Sequence, residues 1–524
     1  MSTATENAEL VTEADLFERG SDRLNPILVK ETRQALKSRQ FLVTFLLMLI
    51  LAWLISAFGV LLAGDSLEYG SAGRVFFLFY YYVLALAIFA IVPYSAYRGL
   101  LNERDQTTLE LLSITTLTPR QFVWGKLCSS MVQVFIYYSA IAPFIAFTSL
   151  LQGFDLAQVA FVLTVSLLVS FALTMLALTL AAIPQSKHAQ GGTTLLYFGA
   201  KVWMGFAVAF GMPVMFMEAI PFDQREFWVV AGCFVTAGLS FVFLFLQIAV
   251  AHLTFESDNR STGIRLACTI QQILYWTGIW IVMKFVAPLG VTAGPEEVAI
   301  MATFSVLHAA AIGFFSATES DFTSRRVRRS FERNTLLKFI SIPYMPGGHR
   351  GLVYTLLHLF SIPIICEALL KNTFATGRWD GPWILLMIVY VVAYLGMGSA
   401  MGRILRAVSP EVRPVHTRVI IVIGFLIGLI VPYLPSIFGV KDSQNLYLFL
   451  RIANPFEALN AMAGNSSFGS WGTPVTSIST MEKVVIWSFA VLGIILNLPA
   501  MFRGIFEVLG QPATVPVAEQ EVSS

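Results

Sequence analysis

Long apolar runs constrain this chain more than any other feature. A helix needs about 20 consecutive apolar residues to cross the hydrocarbon core of a bilayer, and such runs recur from Phe41 almost to the C-terminus. They fall at approximately 41–63, 75–97, 126–151, 158–183, 195–217, 227–251, 267–287, 298–317, 351–370, 382–405, 418–437 and 484–503. Inside lipid a helix satisfies all its backbone donors and acceptors without help. The expected fold is therefore an all-α polytopic membrane protein with about twelve transmembrane helices. Composition agrees: charged residues are 13% of the 524, where a soluble domain carries about 25%, and the mean hydropathy is +0.72. Two runs contain lysines, Lys201 and Lys284, which either snorkel from a span end or mark a shifted boundary. Cys128, Cys233, Cys268 and Cys366 lie in or beside apolar runs with no C-x-x-C spacing and read as small buried side chains. The first run is too long to be the apolar region of a cleaved signal.

Basic residues set the expected orientation. With the N-terminus inside, about 25 of the 34 Lys and Arg fall in cytoplasmic segments and about 7 in outer loops. They concentrate at 19–39, at 98–126, at Arg403 to Arg418, and in the cluster Arg325, Arg326, Arg328, Arg329, Arg333. Both termini are thus expected in the cytoplasm. Residues 1–23 are polar and acidic and read as a disordered tail. Residues 24–40 read as an interfacial amphipathic helix, capped by Asn25 and started by Pro26. Leu24, Ile27, Leu28, Ala35 and Leu36 share its apolar face, and Lys30, Arg33, Lys37 and Arg39 anchor it at the headgroups. Two six-span regions follow, 41–251 and 252–503. The second carries a basic cytoplasmic loop, 318–350, and an outer loop, 438–483, in which a surface helix starts at Asn454. The loop 318–350 reads either as an orienting, anionic-lipid-binding segment or as a degenerate counterpart of the segment after span two. Residues 504–524 form a second cytoplasmic tail.

The polar interruption Arg98 to Lys126 is legible part by part. Thr107 with Glu110 has the S/T-x-x-E form of a capping box, which satisfies free backbone donors where a short helix begins. Leu109, Leu111 and Leu112 give that helix an apolar ridge. Thr118 before Pro119 is a second helix start, and Arg120 and Lys126 hold that helix at the headgroups. Beside Glu103, Arg104 and Asp105, the ridged helix suits the docking of a soluble partner. It equally suits a connector lying on the headgroup boundary.

Catalytic signatures are absent from the sequence. Gly125-Lys126 lacks the upstream glycine and following hydroxyl of a phosphate-binding loop. The six histidines never take a close metal spacing, and no nucleophile elbow occurs. Nothing suggests a nucleic-acid partner. Polar residues inside the spans are Gln247, Gln271, Gln272, His308, His358, Glu367 and Asn497, besides the two lysines. They fit a transport path or interhelical hydrogen bonds. The aromatic run Phe76, Phe77, Phe79 to Tyr82 fits a lateral path or an interfacial belt.

Asn102-Glu-Arg-Asp-Gln-Thr-Thr-Leu-Glu-Leu-Leu112, then Leu117-Thr-Pro-Arg-Gln121 and Gly125-Lys126, resembles the segment after the second span of ATP-binding-cassette (ABC) type-2 permeases. That family's pattern is E-R-x-x-G-T-L-E-x-L-L followed by T-P and G-K. Asn25 to Glu31 resembles its N-terminal interfacial helix. The match covers residues 24–185; Thr107 stands where a glycine is common, and the chain beyond 190 does not align. The resemblance implies the permease subunit of an ATP-driven exporter in the plasma (inner) membrane. It implies a cytoplasmic coupling helix between spans two and three, where Glu103, Arg104, Thr107, Leu109, Glu110, Leu111 and Leu112 contact a separate ATPase. The implied partners are two ATPase subunits carrying ATP and Mg, with this chain binding no cofactor. Membrane lipids and either a homodimer, a second permease or both halves in one chain complete the assembly. Two other classes stay open: an ion-gradient-driven transporter, for which Glu367 would be the intramembrane carboxylate, and a membrane scaffold.

Overall fold

The computed structural model describes residues 26–63, 72–105, 117–149, 151, 155–183, 199, 207, 211, 220–255, 257–285, 295–329, 334–373, 382–409, 411–439, 450–463 and 480–510. Among them eleven helices are long and apolar enough to cross a membrane. The protein is an all-α, multi-pass membrane protein. The twelfth expected run, 195–217 with Lys201, lies outside the described residues except for three isolated positions.

The chain divides into two compact units. Unit 1 comprises residues up to Trp228 together with Phe234–Thr254, and unit 2 comprises Val229–Cys233 and everything from Phe255. In unit 1, α1 (Pro26–Leu36) precedes α2 (Arg39–Ala63). The second span is α3 (Ala72–Ala85), a π-helical turn (Leu86–Ile91) and α4 (Val92–Asp105). Then come α5 (Pro119–Thr148), α6 (Leu156–Ala182) and α7 (Arg225–Leu253). The π turn has a local cause. Pro93 has no N–H to give to the carbonyl one turn below, and the Ser170 hydroxyl donates to the Ile88 carbonyl at 2.9 Å. A polar neighbour thus satisfies backbone that would otherwise face apolar surroundings.

The core of unit 1 answers the aromatic question. Phe76, Phe77, Tyr80 and Tyr81 are buried against α2, α5 and α6, while Phe79 is exposed. The buried hydroxyls are matched: Tyr80 with Ser56 and Tyr81 with Ser166, both at 2.7 Å.

Unit 2 holds α8 (Thr262–Phe285), α9 (Pro295–Ser316), α10 (Gly348–Thr373), α11 (Pro382–Val408), α12 (Pro414–Ile430), α13 (Pro455–Ala463) and α14 (Thr480–Leu509). Two short helical turns, Arg325–Arg329 and Thr335–Ser341, lie between α9 and α10. Helices α11 and α14 cross closely because glycine faces glycine: a Cβ on Gly396 would stand 3.1 Å from the Gly493 backbone. Asn497, fully buried, donates to the Gly396 carbonyl at 2.8 Å and so makes an interhelical bond at that crossing. Asn454 accepts from the Phe456 and Glu457 amides and starts α13 as its sequence suggested. Lys284 lies in the last turn of α8 with its ammonium over the Trp280 ring, so it stands at the end of that helix and not in its interior.

Several boundaries differ from the apolar runs. The second span continues through Asp105 and the third begins at Pro119. The last helix runs to Leu509, so residues 504–509 are packed helix and not tail. Polar residues end an apolar run but do not end a helix when each finds a partner.

Candidate functional site

The described residues flanking the segment between spans two and three form a polar joint. Thr118 is the N-cap of α5: its hydroxyl accepts from the Gln121 amide, and the Gln121 side chain accepts from the Thr118 amide. With Pro119 at the first helical position, this fixes where the chain re-enters the bundle. Two turns into α5, Lys126 is only 5% exposed. Its ammonium stands 2.8 Å from Glu103 of α4 and 3.1 Å from Glu31 of α1. It also lies over the Phe122 ring at 5.3 Å. Lys126 was expected to reach the headgroups; it turns inward instead, where two carboxylates supply the countercharge without which a buried ammonium would be uncompensated.

Arg104, beside Glu103, donates to the carbonyls of Ala181 and Ile183 where α6 ends. A guanidinium at a helix C-terminus satisfies carbonyls that have no partner within the helix. Apolar contacts complete the joint: Ile27, Tyr97, Leu100, Leu101, Phe122, Val123, Leu127, Leu178 and Ala182 form one buried cluster. Four helix ends, of α1, α4, α5 and α6, are tied at a single place. Both chain ends of the segment 106–116 are rooted there.

Of the expected contact residues, Glu103 and Arg104 are in this joint. Thr107, Leu109, Glu110, Leu111 and Leu112 lie outside the described residues. Lys30, Arg33, Lys37, Arg39 and Arg120 are exposed, as headgroup anchors must be. Glu31 had been given no role. Its signal was spacing: it lies four residues after the buried Ile27, and so on the same face of α1.

Unit 2 has a larger polar hub where α8 and α10 begin and α9, α11 and α14 end. Arg265 of α8 is 1% exposed and donates to the carbonyls of Pro343, Met345 and Gly347 and to Glu319 at 2.8 Å. Arg350 of α10, fully buried, donates to the Pro346 and Gly504 carbonyls and to Glu507 at 2.7 Å. Asp321 accepts from His349 Nδ1 at 2.8 Å and from Arg403 at 3.2 Å. Burial alone would raise the Asp321 carboxyl. The hydrogen bonds from His349 and the nearby Arg403 guanidinium override it and hold the group well below the usual carboxylate range. The basic cluster in 318–350 is thus divided: Arg325, Arg326, Arg328 and Arg329 are exposed, whereas Arg350 is interior.

The polar residues expected within spans are mostly satisfied by neighbouring helices. His308 bonds Gln271 at 3.1 Å, and His358 bonds Thr269 at 3.2 Å. Glu367 pairs with Lys371, four residues on, and both are more than half exposed.

The chain matches no protein-family model, no curated protein and no solved structure.

Proposed function

We propose that this chain is the permease subunit of an ATP-driven ABC exporter, worked by a separate ATPase that docks on the segment around Thr107 to Leu112. The observation that carries the reading is the joint at Lys126. A push on a segment rooted in Glu103 and Thr118 cannot stay local, because Lys126 and Arg104 link that root to α1, α5 and α6. Leu109, Leu111 and Leu112 would fill the ATPase cleft, and Glu110 would complement its charge. The π turn at Leu86–Ile91 with Pro93 gives α4 a place to bend against α3. Closure of two ATPase subunits on ATP would then tilt α4 and α5 and open the opposite side. The resemblance over 24–185 supplies the direction, export, and the partner.

The test is a double substitution, Leu109→Asp with Leu112→Asp. The variant is expected to reach the membrane in normal amount but to lose its ATPase on purification and to lose its stimulation of ATP hydrolysis. Retention of both would defeat the assignment.

A further inference from the structure

Unit 2 contains a groove of about 520 Å³ between α8 and α10, within the range of small-molecule sites. Gln272 and Trp276 line it, together with Thr269, His358 and Ser361. Gln272 is 5% exposed, yet neither its amide nitrogen nor its oxygen has a hydrogen-bond partner. Trp276 is equally buried and its indole N–H is also unpartnered. Leaving such groups unmatched in an apolar interior forfeits their solvation with nothing in return. The neighbouring glutamine shows the contrast: Gln271 turns the other way and is bonded to His308.

Depth and rim identify the occupant. Gln272 lies ten residues after Thr262, the first residue of α8, and His358 ten after Gly348, the first of α10. At 1.5 Å per residue each is about 15 Å along its helix, past the charged residues at the helix starts and within the apolar runs 267–287 and 351–370. The rim residues Ile273 and Leu357 are 59% and 56% exposed, so the groove opens sideways onto hydrocarbon. None of the lining residues is an acid, a lysine or an arginine. An anionic headgroup would find no countercharge here. A ligand entering from the bilayer must bring hydrogen-bonding capacity without charge.

We infer that this groove binds a neutral, single-chain amphiphile whose uncharged head both donates and accepts hydrogen bonds, as the glycerol ester of a monoacylglycerol does. The head takes the Gln272 carboxamide and the Trp276 N–H once the Gln272 side chain, closed off from the groove in this conformation, turns towards it, and the acyl chain leaves between Ile273 and Leu357. The inference concerns unit 2 alone and is read without any ATPase, so its failure and the failure of the coupling reading are separable.

The experiment uses the full chain in phosphatidylcholine nanodiscs and a monoacylglycerol with a brominated acyl chain, which quenches tryptophan fluorescence on contact. Saturable quenching is expected, weakened about tenfold by Gln272→Leu, the loss of roughly one hydrogen-bonded pair. Gln272→Leu removes an unmatched polar group and is expected to melt at or above the wild-type temperature, so weaker binding will not reflect unfolding. Competition by the corresponding fatty-acid anion as strong as by the neutral ester would overturn the inference. Equal quenching in Gln272→Leu would do the same. So would a dimer that Gln272→Leu dissolves, since the groove would then belong to a second copy.

Discussion

In unit 1 a single ammonium, Lys126, answers two carboxylates that are each partly open to solvent, while the basic residues of α1, Lys30 and Arg33, are exposed. In unit 2 three arginines, Arg265, Arg350 and Arg403, each meet a carboxylate, and two of them also saturate several backbone carbonyls. Both arrangements tie helix ends together, but they differ in how many bonds must break for one helix to move. The hub of unit 2 ties Glu319, Asp321 and the stretch Pro343–Gly347 to the helix ends around them, and moving α8 or α14 would strand a buried guanidinium. The joint of unit 1 can shift by exchanging one ammonium between two carboxylates. Few bonds with alternatives suit transmission; many bonds without alternatives suit anchorage.

Breaking the hub should have the largest effect. Arg350→Met leaves the Pro346 and Gly504 carbonyls unmatched and takes from Glu507 one of its two arginines, Arg328 remaining at 3.1 Å. It is expected to destabilise the protein by about 3–5 kcal/mol, read as loss of folded material by thermal unfolding in detergent. A mild outcome would mean the hub is not the anchor proposed. Next comes Gly504→Ala. Its Cβ would stand 1.7 Å from the His349 ring, so either the ring swings off Asp321 or α14 shifts, at a cost of about 1–3 kcal/mol. Smaller again is Lys126→Met, expected to cost about 1–2 kcal/mol because Glu31 and Glu103, at 19% and 17% exposed, lie nearer solvent than the hub's guanidinium groups. A loss as large as that of Arg350→Met would erase the contrast between the units.

The smallest effect is on pH dependence. Because the Asp321 carboxyl is held below its unfolded value of about 3.9, its contribution is present above that pH. It is lost as pH falls through the lower, folded value. Asp321→Asn should therefore flatten the acid side of the melting curve below about pH 4 and leave its shape at neutral pH unchanged. An acid limb of unchanged steepness would show that Asp321 is not held by His349 and Arg403.

Span placement was legible because apolar runs of span length have few other solutions in lipid. The caps at Thr118 and Asn454 were legible because their partners are two or three residues away. The polar joints were not. Lys126 meets Glu31 and Glu103 only when α1, α4 and α5 come together, and Arg350 meets Glu507 across most of unit 2. Charges at the ends of apolar runs read as headgroup anchors until tertiary contacts reveal their partners. Arg120 is exposed and Lys126 is buried against two carboxylates, although they lie less than two turns apart on α5.

The proposed function requires the Lys126 joint to carry motion from the proposed ATPase-docking segment into the bundle. Its most direct test is ATP hydrolysis by the purified assembly carrying Lys126→Met, with the amount of bound ATPase measured in the same sample. The expected result is ATPase bound in normal proportion whose hydrolysis no longer responds to the transmembrane subunit. Normal binding with undiminished stimulation would contradict the claim.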